Sequence, residues 1–234
     1  YLAGTKRAVL IVFHGYGRDH TRAWRYASFL RRAGYGIVTV DFRSSRARDR
    51  KPTTLGGYEL PDAEATLAWV EHEPGLAGDR VGLLGESLGG SVALVLAARH
   101  PEIAAVVADC PFATGKRALE DSMERWMHLP RWPFADLARH GGRLLTGHDP
   151  GALDVVAAAE SLATRPVLFV HASRDDRFAP EQARDLWRAA GAKDEIWLVD
   201  TGHNEAWQSH RAEYERRVLE LFGRTLGSGE EGAD

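Results

Sequence analysis

Three short stretches of this chain hold the residue types that nucleophilic acyl chemistry requires. Gly85-Glu86-Ser87-Leu88-Gly89 is a G-x-S-x-G lying between an apolar run and a stretch of helical periodicity. A strand that turns at once into a helix forces the middle residue into a strained backbone conformation. Flanking glycines remove the Cβ clashes that so tight a turn would create. The serine would then stand above the sheet beside the free N–H groups of a helix N-terminus, which favour negative charge. A serine hydroxyl is a poor nucleophile at neutral pH and needs a base. His203, within Asp200-Thr201-Gly202-His203-Asn204, would take its proton. An acid from His171-Ala172-Ser173-Arg174-Asp175-Asp176-Arg177, either Asp175 or Asp176, would fix the tautomer and stabilise the imidazolium. Asp109, at the end of another apolar run, is a rival acid, and Asp200 reads as a turn residue.

A further stretch, His14-Gly15-Tyr16-Gly17, directly follows the first apolar run. A Gly-rich turn there lets the backbone N–H of Tyr16 point into the same cleft. With the N–H of Leu88 it would form an oxyanion hole, one donor of which is typically worth about 10²–10³ in turnover. The His14 side chain is read as a loop support. Histidines 20, 72, 100, 128, 140, 148 and 210 show no metal-ligand spacing, and no H-E-x-x-H occurs. No metal or organic cofactor is implied.

These stretches need a scaffold that brings them together. Ala8–Phe13, Gly36–Asp41, Arg80–Leu84, Ile103–Asp109, Pro166–His171 and Glu195–Asp200 read as buried strands. Trp24–Arg32, Glu59–His72, Leu88–Arg99, Pro180–Ala190 and Glu205–Phe222 read as helices. Phe42–Tyr58, polar and containing Pro52, reads as a loop. Such alternation predicts an α/β fold, a three-layer α/β/α sandwich around a mostly parallel sheet. Ligands then sit at the carboxyl ends of the strands, where all four stretches fall. Residues 112–160 break the rhythm, with prolines at 130, 133 and 150, and are expected to form a small helical lid inserted into a single domain, 1–234. Trp126, Met127, Trp132, Phe134 and Trp207 are candidates to line a substrate pocket beneath it, or else to be the lid's own packing core.

Composition narrows the partners. The chain is 27% charged and 44% hydrophobic with a net charge of −3, which gives no basic surplus for nucleic acid or an anionic membrane. No apolar run reaches the roughly 18 residues of a membrane span. Cys110 is the single cysteine, so no intrachain disulfide forms. With no signal peptide visible, the expectation is a cytoplasmic protein. The chain starts at Tyr1 rather than Met, which leaves an upstream signal or anchor open.

The motifs together resemble the α/β-hydrolase superfamily, and within it the bacterial serine hydrolases related to the serine-aminopeptidase and dienelactone-hydrolase-like groups. The likeness covers roughly residues 8–222. It rests on HGYG at 14–17, DFR at 41–43, TTLGGYE with Asp62 at 53–62, GESLGG at 85–90, HASRDDRFAP at 171–180 and TGH at 201–203. It implies Ser87 as nucleophile, His203 as base, and Tyr16 with Leu88 as the oxyanion hole. It selects Asp175 as the acid, with Asp176 as the alternative. Three departures stand out. Ser44-Ser45-Arg46 replaces the usual Gly-rich turn. Ser87 excludes relatives with an Asp or Cys nucleophile. Residues 1–7 are too short to supply the two further strands usual before the HG loop, and an edge strand left exposed would invite a homodimer. The function implied is hydrolysis of small-molecule carboxylic esters of small or medium acyl chain. Amide or peptide hydrolysis by the same triad is the alternative, and a non-catalytic binding module a third.

Overall fold

Every residue of the first strand, β1 (Ala8–Phe13), is buried, as an unbroken apolar run must be when both faces of its sheet are covered. Its alternate side chains feed two separate cores: Val9, Ile11 and Phe13 one, Ala8, Leu10 and Val12 the other. The computed structural model describes residues 1–45, 51–76, 78–192 and 196–227. Arg46, Glu195 and the chain after Gly227 lie outside them.

Five more strands complete the sheet: β2 (Gly36–Thr39), β3 (Arg80–Glu86), β4 (Ile103–Asp109), β5 (Val167–Ala172) and β6 (Ile196–Val199). The order is β2-β1-β3-β4-β5-β6, and every pairing is parallel. On one face lie α1 (His20–Arg32) and α9 (Arg211–Leu226), through Tyr26, Phe29, Tyr214 and Phe222. On the other lie α2 (Glu59–His72), α3 (Leu88–Arg99), α6 (Val155–Ser161) and α7 (Pro180–Ala189). The three-layer sandwich expected from the sequence is the observed architecture.

Local chemistry sets several boundaries. Helix α1 begins four residues before the periodic stretch, because Asp19 caps it by accepting from the Thr21 N–H at 3.0 Å. β2 stops short of Asp41, whose carboxylate is taken by the backbone N–H and Nδ1 of His20 at 2.7 and 2.9 Å. The single final helix expected over Glu205–Phe222 is two: α8 (Ala206–Ser209) and α9, separated by His210 at φ −131°, ψ 46°.

The loop after β2 is organised around two acids. Arg43 donates to Asp62 from its backbone N–H, Nε and Nη2 at 2.6–2.9 Å. Glu59, fully buried, accepts from Ser44, Thr53, Thr54 and the Gly56 N–H. Burial pushes the Glu59 carboxyl up, but the bonds from Ser44, Gly56 and Thr54 outweigh it and hold the group below its usual range. These contacts give the DFR and TTLGGYE stretches a structural purpose.

Residues 112–160 carry α4 (Gly115–Asp121), a π-helical turn (Ser122–Trp126), α5 (Arg131–Thr146) and α6. Asp121 pins this segment to the start of α7, accepting from the Ala179 N–H at 2.8 Å and Gln182 Nε2 at 2.7 Å. The β2 edge is partly covered, since Leu2 exchanges two backbone hydrogen bonds of 2.8 Å with Ile37. Among the described residues no helix is long and apolar enough to cross a membrane.

Candidate active site

The turn from β3 into α3 works because two side chains are missing. A Cβ on Gly85 would come within 2.2 Å of the Gly89 carbonyl oxygen, and one on Gly89 within 2.5 Å of the Phe13 carbonyl oxygen. Glycine at these positions lets the first turn of α3 fold back on β3 and press against the end of β1. Between them Ser87 adopts φ 54°, ψ −121°, outside the regions open to most L-residues. Its N–H still donates to the Asp109 carbonyl at 2.7 Å, which holds the turn to β4. A serine at a helix N-cap ordinarily accepts from a first-turn N–H. Here it makes no such bond, and its hydroxyl lies 3.0 Å from His203 Nε2.

His203 Nδ1 lies 2.6 Å from Asp175 Oδ2. The second oxygen of Asp175 accepts from the Arg177 and Phe178 N–H groups at 2.8 and 2.9 Å. Burial of Asp175 favours the neutral acid, but His203, His171 and the Phe178 N–H together hold its carboxyl below the usual range. An ionised Asp175 only accepts, so Nδ1 of His203 carries the proton and Nε2 faces the Ser87 hydroxyl as an acceptor. Phe178 stands edge-on to the imidazole, centroids 5.3 Å apart.

Asp176, the alternative acid, is exposed and lines the outer cleft instead. Asp109, the rival, is fully buried under Tyr214 and Tyr26, whose hydroxyls lie 3.1 and 3.5 Å from Oδ2. Asp200 is exposed and pairs with Arg174 at 2.8 Å. His14 Nε2 accepts from the Phe42 N–H at 3.2 Å, and its Nδ1–H donates to the Gly15 carbonyl at 2.8 Å. That ties the HG loop to the exit of β2, and burial pushes its imidazole below the usual value.

Among the described residues one group of three could offer metal donors together, Cys110, His171 and Asp175. Burial pushes the Cys110 thiol well up and the His171 imidazole down. Both carboxylate oxygens of Asp175 are already engaged. A protonated thiol and a committed carboxylate do not make a metal centre.

Sequence reasoning missed the charged cluster behind the turn. Glu86, buried, accepts from Arg22 Nε at 3.2 Å, from Arg25 Nη2, and from the Tyr26 hydroxyl at 3.2 Å. Arg25 reaches on to the Asn204 carbonyl at 3.2 Å, which fastens the His203 loop to the same cluster. Glu86 occupied a variable position of the motif, so no pattern flagged it.

Two cavities meet at Ser87. One, about 510 Å³, is polar and includes Arg18, Arg22, Arg174, Asp176, His203 and Glu205 in its wall. The other, about 210 Å³, is apolar and includes Leu88, Phe112, Met123, Trp126, Met127 and Phe178. Tyr16, Ser87, Trp126 and Arg177 border both. Trp126 lies across them with Tyr16 edge-on at 6.5 Å and the Arg177 guanidinium over its ring at 4.4 Å. Three expected pocket residues are elsewhere. Trp132 is 78% exposed, Phe134 borders neither cavity, and Trp207 packs edge-on against Tyr26 on the opposite face of the sheet. Residues 126–134 show no regular period in the sequence, so nothing there could reveal which of their side chains face inward.

A model of the X-Pro dipeptidyl-peptidase (S15) family matches residues 5–210. The chain belongs to that family. Membership makes this S15 chain a hydrolase of the esterase or peptidase type, within the superfamily its motifs resemble. A Bacillus subtilis relative of uncharacterised function, YqkD, is 25% identical over 216 residues, spanning 91% of this chain and 70% of the relative. In fold the S15 chain is similar to a Pyrococcus furiosus esterase, with a TM-score of 0.77 and 23% identity over 95% of this chain and 84% of the other. It is also similar to a Pyrococcus horikoshii acylaminoacyl peptidase, with a TM-score of 0.71 and 19% identity over 100% of this chain and 40% of the other. At these identities the two structures speak to the S15 chain's fold.

Proposed function

We propose that the protein is a serine hydrolase that cleaves carboxylic esters of small or medium acyl chain through an acyl-enzyme on Ser87. The observation that carries this reading is the continuous chain Ser87 Oγ, His203, Asp175, with contacts of 3.0 and 2.6 Å. His203 Nε2 takes the hydroxyl proton as Oγ attacks the carbonyl. The Tyr16 and Leu88 N–H groups receive the oxyanion, and Asp175 stabilises the imidazolium. His203 then returns the proton to the leaving group, and water repeats the cycle on the acyl-enzyme.

The two cavities divide the substrate between them. A leaving group must lie on the imidazole side to collect its proton, and His203 borders the polar cavity alone. The acyl group therefore occupies the apolar one, with the stretch from α4 through α5 acting as a lid over it, while α6, the end of the expected lid segment, belongs to the layer on the sheet. Its 210 Å³ lies below the roughly 300–1,000 Å³ of drug-sized pockets, which favours short acyl chains. The family match favours a second reading, amide or peptide cleavage by the same residues.

A p-nitrophenyl ester series from acetate to laurate, beside Gly-Pro and N-acetylaminoacyl anilides, tests both. The ester reading expects a maximum at short chains and a fall by laurate, with anilides slower. Faster anilides would install the peptidase reading. A protein that neither turns over any of these nor labels with a fluorophosphonate would be a binding module.

A further inference from the structure

The outer face of α5 is apolar and uncovered. Leu144 is 88% exposed, Leu145 82% and Leu137 62%, while the inner side of the same helix, through Ala138 and Gly142, walls the apolar cavity. Such large side chains gathered on one helix are unusual on a monomer and mark an interaction surface. Their spacing says what fits it. Leu137 and Leu144, seven residues apart, form one stripe, and Gly141 lies beside them with open space where a Cβ would be. Asp136 and Arg143, also seven apart, flank the stripe on one side, and Phe134 and Leu145 flank it on the other.

We propose that this face is the contact between two copies of the chain, α5 against α5, antiparallel about a two-fold axis near His140. Such an axis pairs residue i with the residue whose number completes a sum close to 280. Leu137 then meets Leu144 of the other copy, Phe134 meets Leu145, and Asp136 meets Arg143. Each pair occurs twice, as an isologous interface requires. Among the described residues neither Asp136 nor Arg143 comes within ion-pair contact of an opposite charge: Asp136 acts on Arg139 and Arg143 on Asp149 only at longer range, while Arg139 and Asp149 hold each other at 2.7 Å. The second copy would bring each of them an opposite charge at contact distance, which its own chain supplies only at longer range. A lipid surface would use the leucines and Arg143 but would leave Asp136 opposing it.

Sedimentation velocity across a concentration series tests this directly and requires no substrate, so the outcome is independent of the hydrolase reading. The wild type is expected to dimerise. Leu144→Glu should raise the dissociation constant roughly 30-fold or more. Asp136→Arg and Arg143→Asp should each weaken the dimer, and the double variant should recover it. Circular dichroism verifies that the surface variants fold. A protein that stays monomeric throughout, including one that then binds anionic phosphatidylglycerol vesicles, overturns the proposal. So does a dimer indifferent to Leu144→Glu, which would place the contact elsewhere.

Discussion

Replacing Ser87 with Ala is expected to lower kcat by about 10⁴–10⁶-fold while leaving the fold intact, because it removes the proposed nucleophile and leaves only the proposed oxyanion donors and substrate binding. Asp175→Asn should cost about 10⁴-fold. An amide at this position donates to Nδ1, so the proton moves to Nε2 and the imidazole can no longer accept from Ser87. Asp176→Asn, one residue away on an exposed side chain, should change kcat only a few-fold, since it touches neither His203 nor Ser87. Parallel kcat measurements on the three variants separate the two acids. A larger loss for Asp176→Asn than for Asp175→Asn would refute the assignment.

The largest expected effect on stability lies outside that trio. Arg25→Ala should destabilise the protein by about 3–5 kcal/mol, because it strips one partner from a buried pair and leaves Glu86 dependent on Arg22 and Tyr26. For a chain of this size that is a fall in melting temperature of roughly 10 °C. The contrast is Arg174→Ala. Its ion pair with Asp200 has side chains 69% and 79% exposed, and such pairs are typically worth about 0–1 kcal/mol. Replacing Arg25 and Glu86 together by Met and Leu should recover most of the loss, since the cost comes from an uncompensated charge rather than from the volume. Thermal melts of the four proteins decide the matter, and a melting point for Arg25→Ala within 2 °C of wild type would count against it.

The parts legible in the sequence were those whose physics is local. An apolar run of six residues has few structures open to it, so β1 and its neighbours were readable, and the same holds for the β3–α3 turn, where glycine spacing encodes a steric requirement. The candidate acid was narrowed to two neighbours and no further, because Asp175 and Asp176 differ in what surrounds them and not in type. Burial and the N–H groups of Arg177 and Phe178 distinguish them, and both arise only when the loop closes on His203. The pocket was the least legible. Trp126 and Trp132 are six residues apart and of one type, yet one roofs the cavities and the other faces solvent. Glu86 and Arg25, 61 residues apart, became a pair only through the crossing of α1 over the end of β3.

The backbone of Ser87 carries a consequence for anyone who engineers this chain. Its φ of 54° with ψ of −121° stores an energy on the order of 1–3 kcal/mol. Glycine accepts that conformation without a clash, at an entropic cost of roughly 0.5–1 kcal/mol. Ser87→Gly should therefore melt above Ser87→Ala, which keeps the Cβ and the strain. A directed-evolution screen that rewards heat resistance alone would climb toward dead variants at this position, so thermal selection on this scaffold has to be yoked to a turnover assay from the first round.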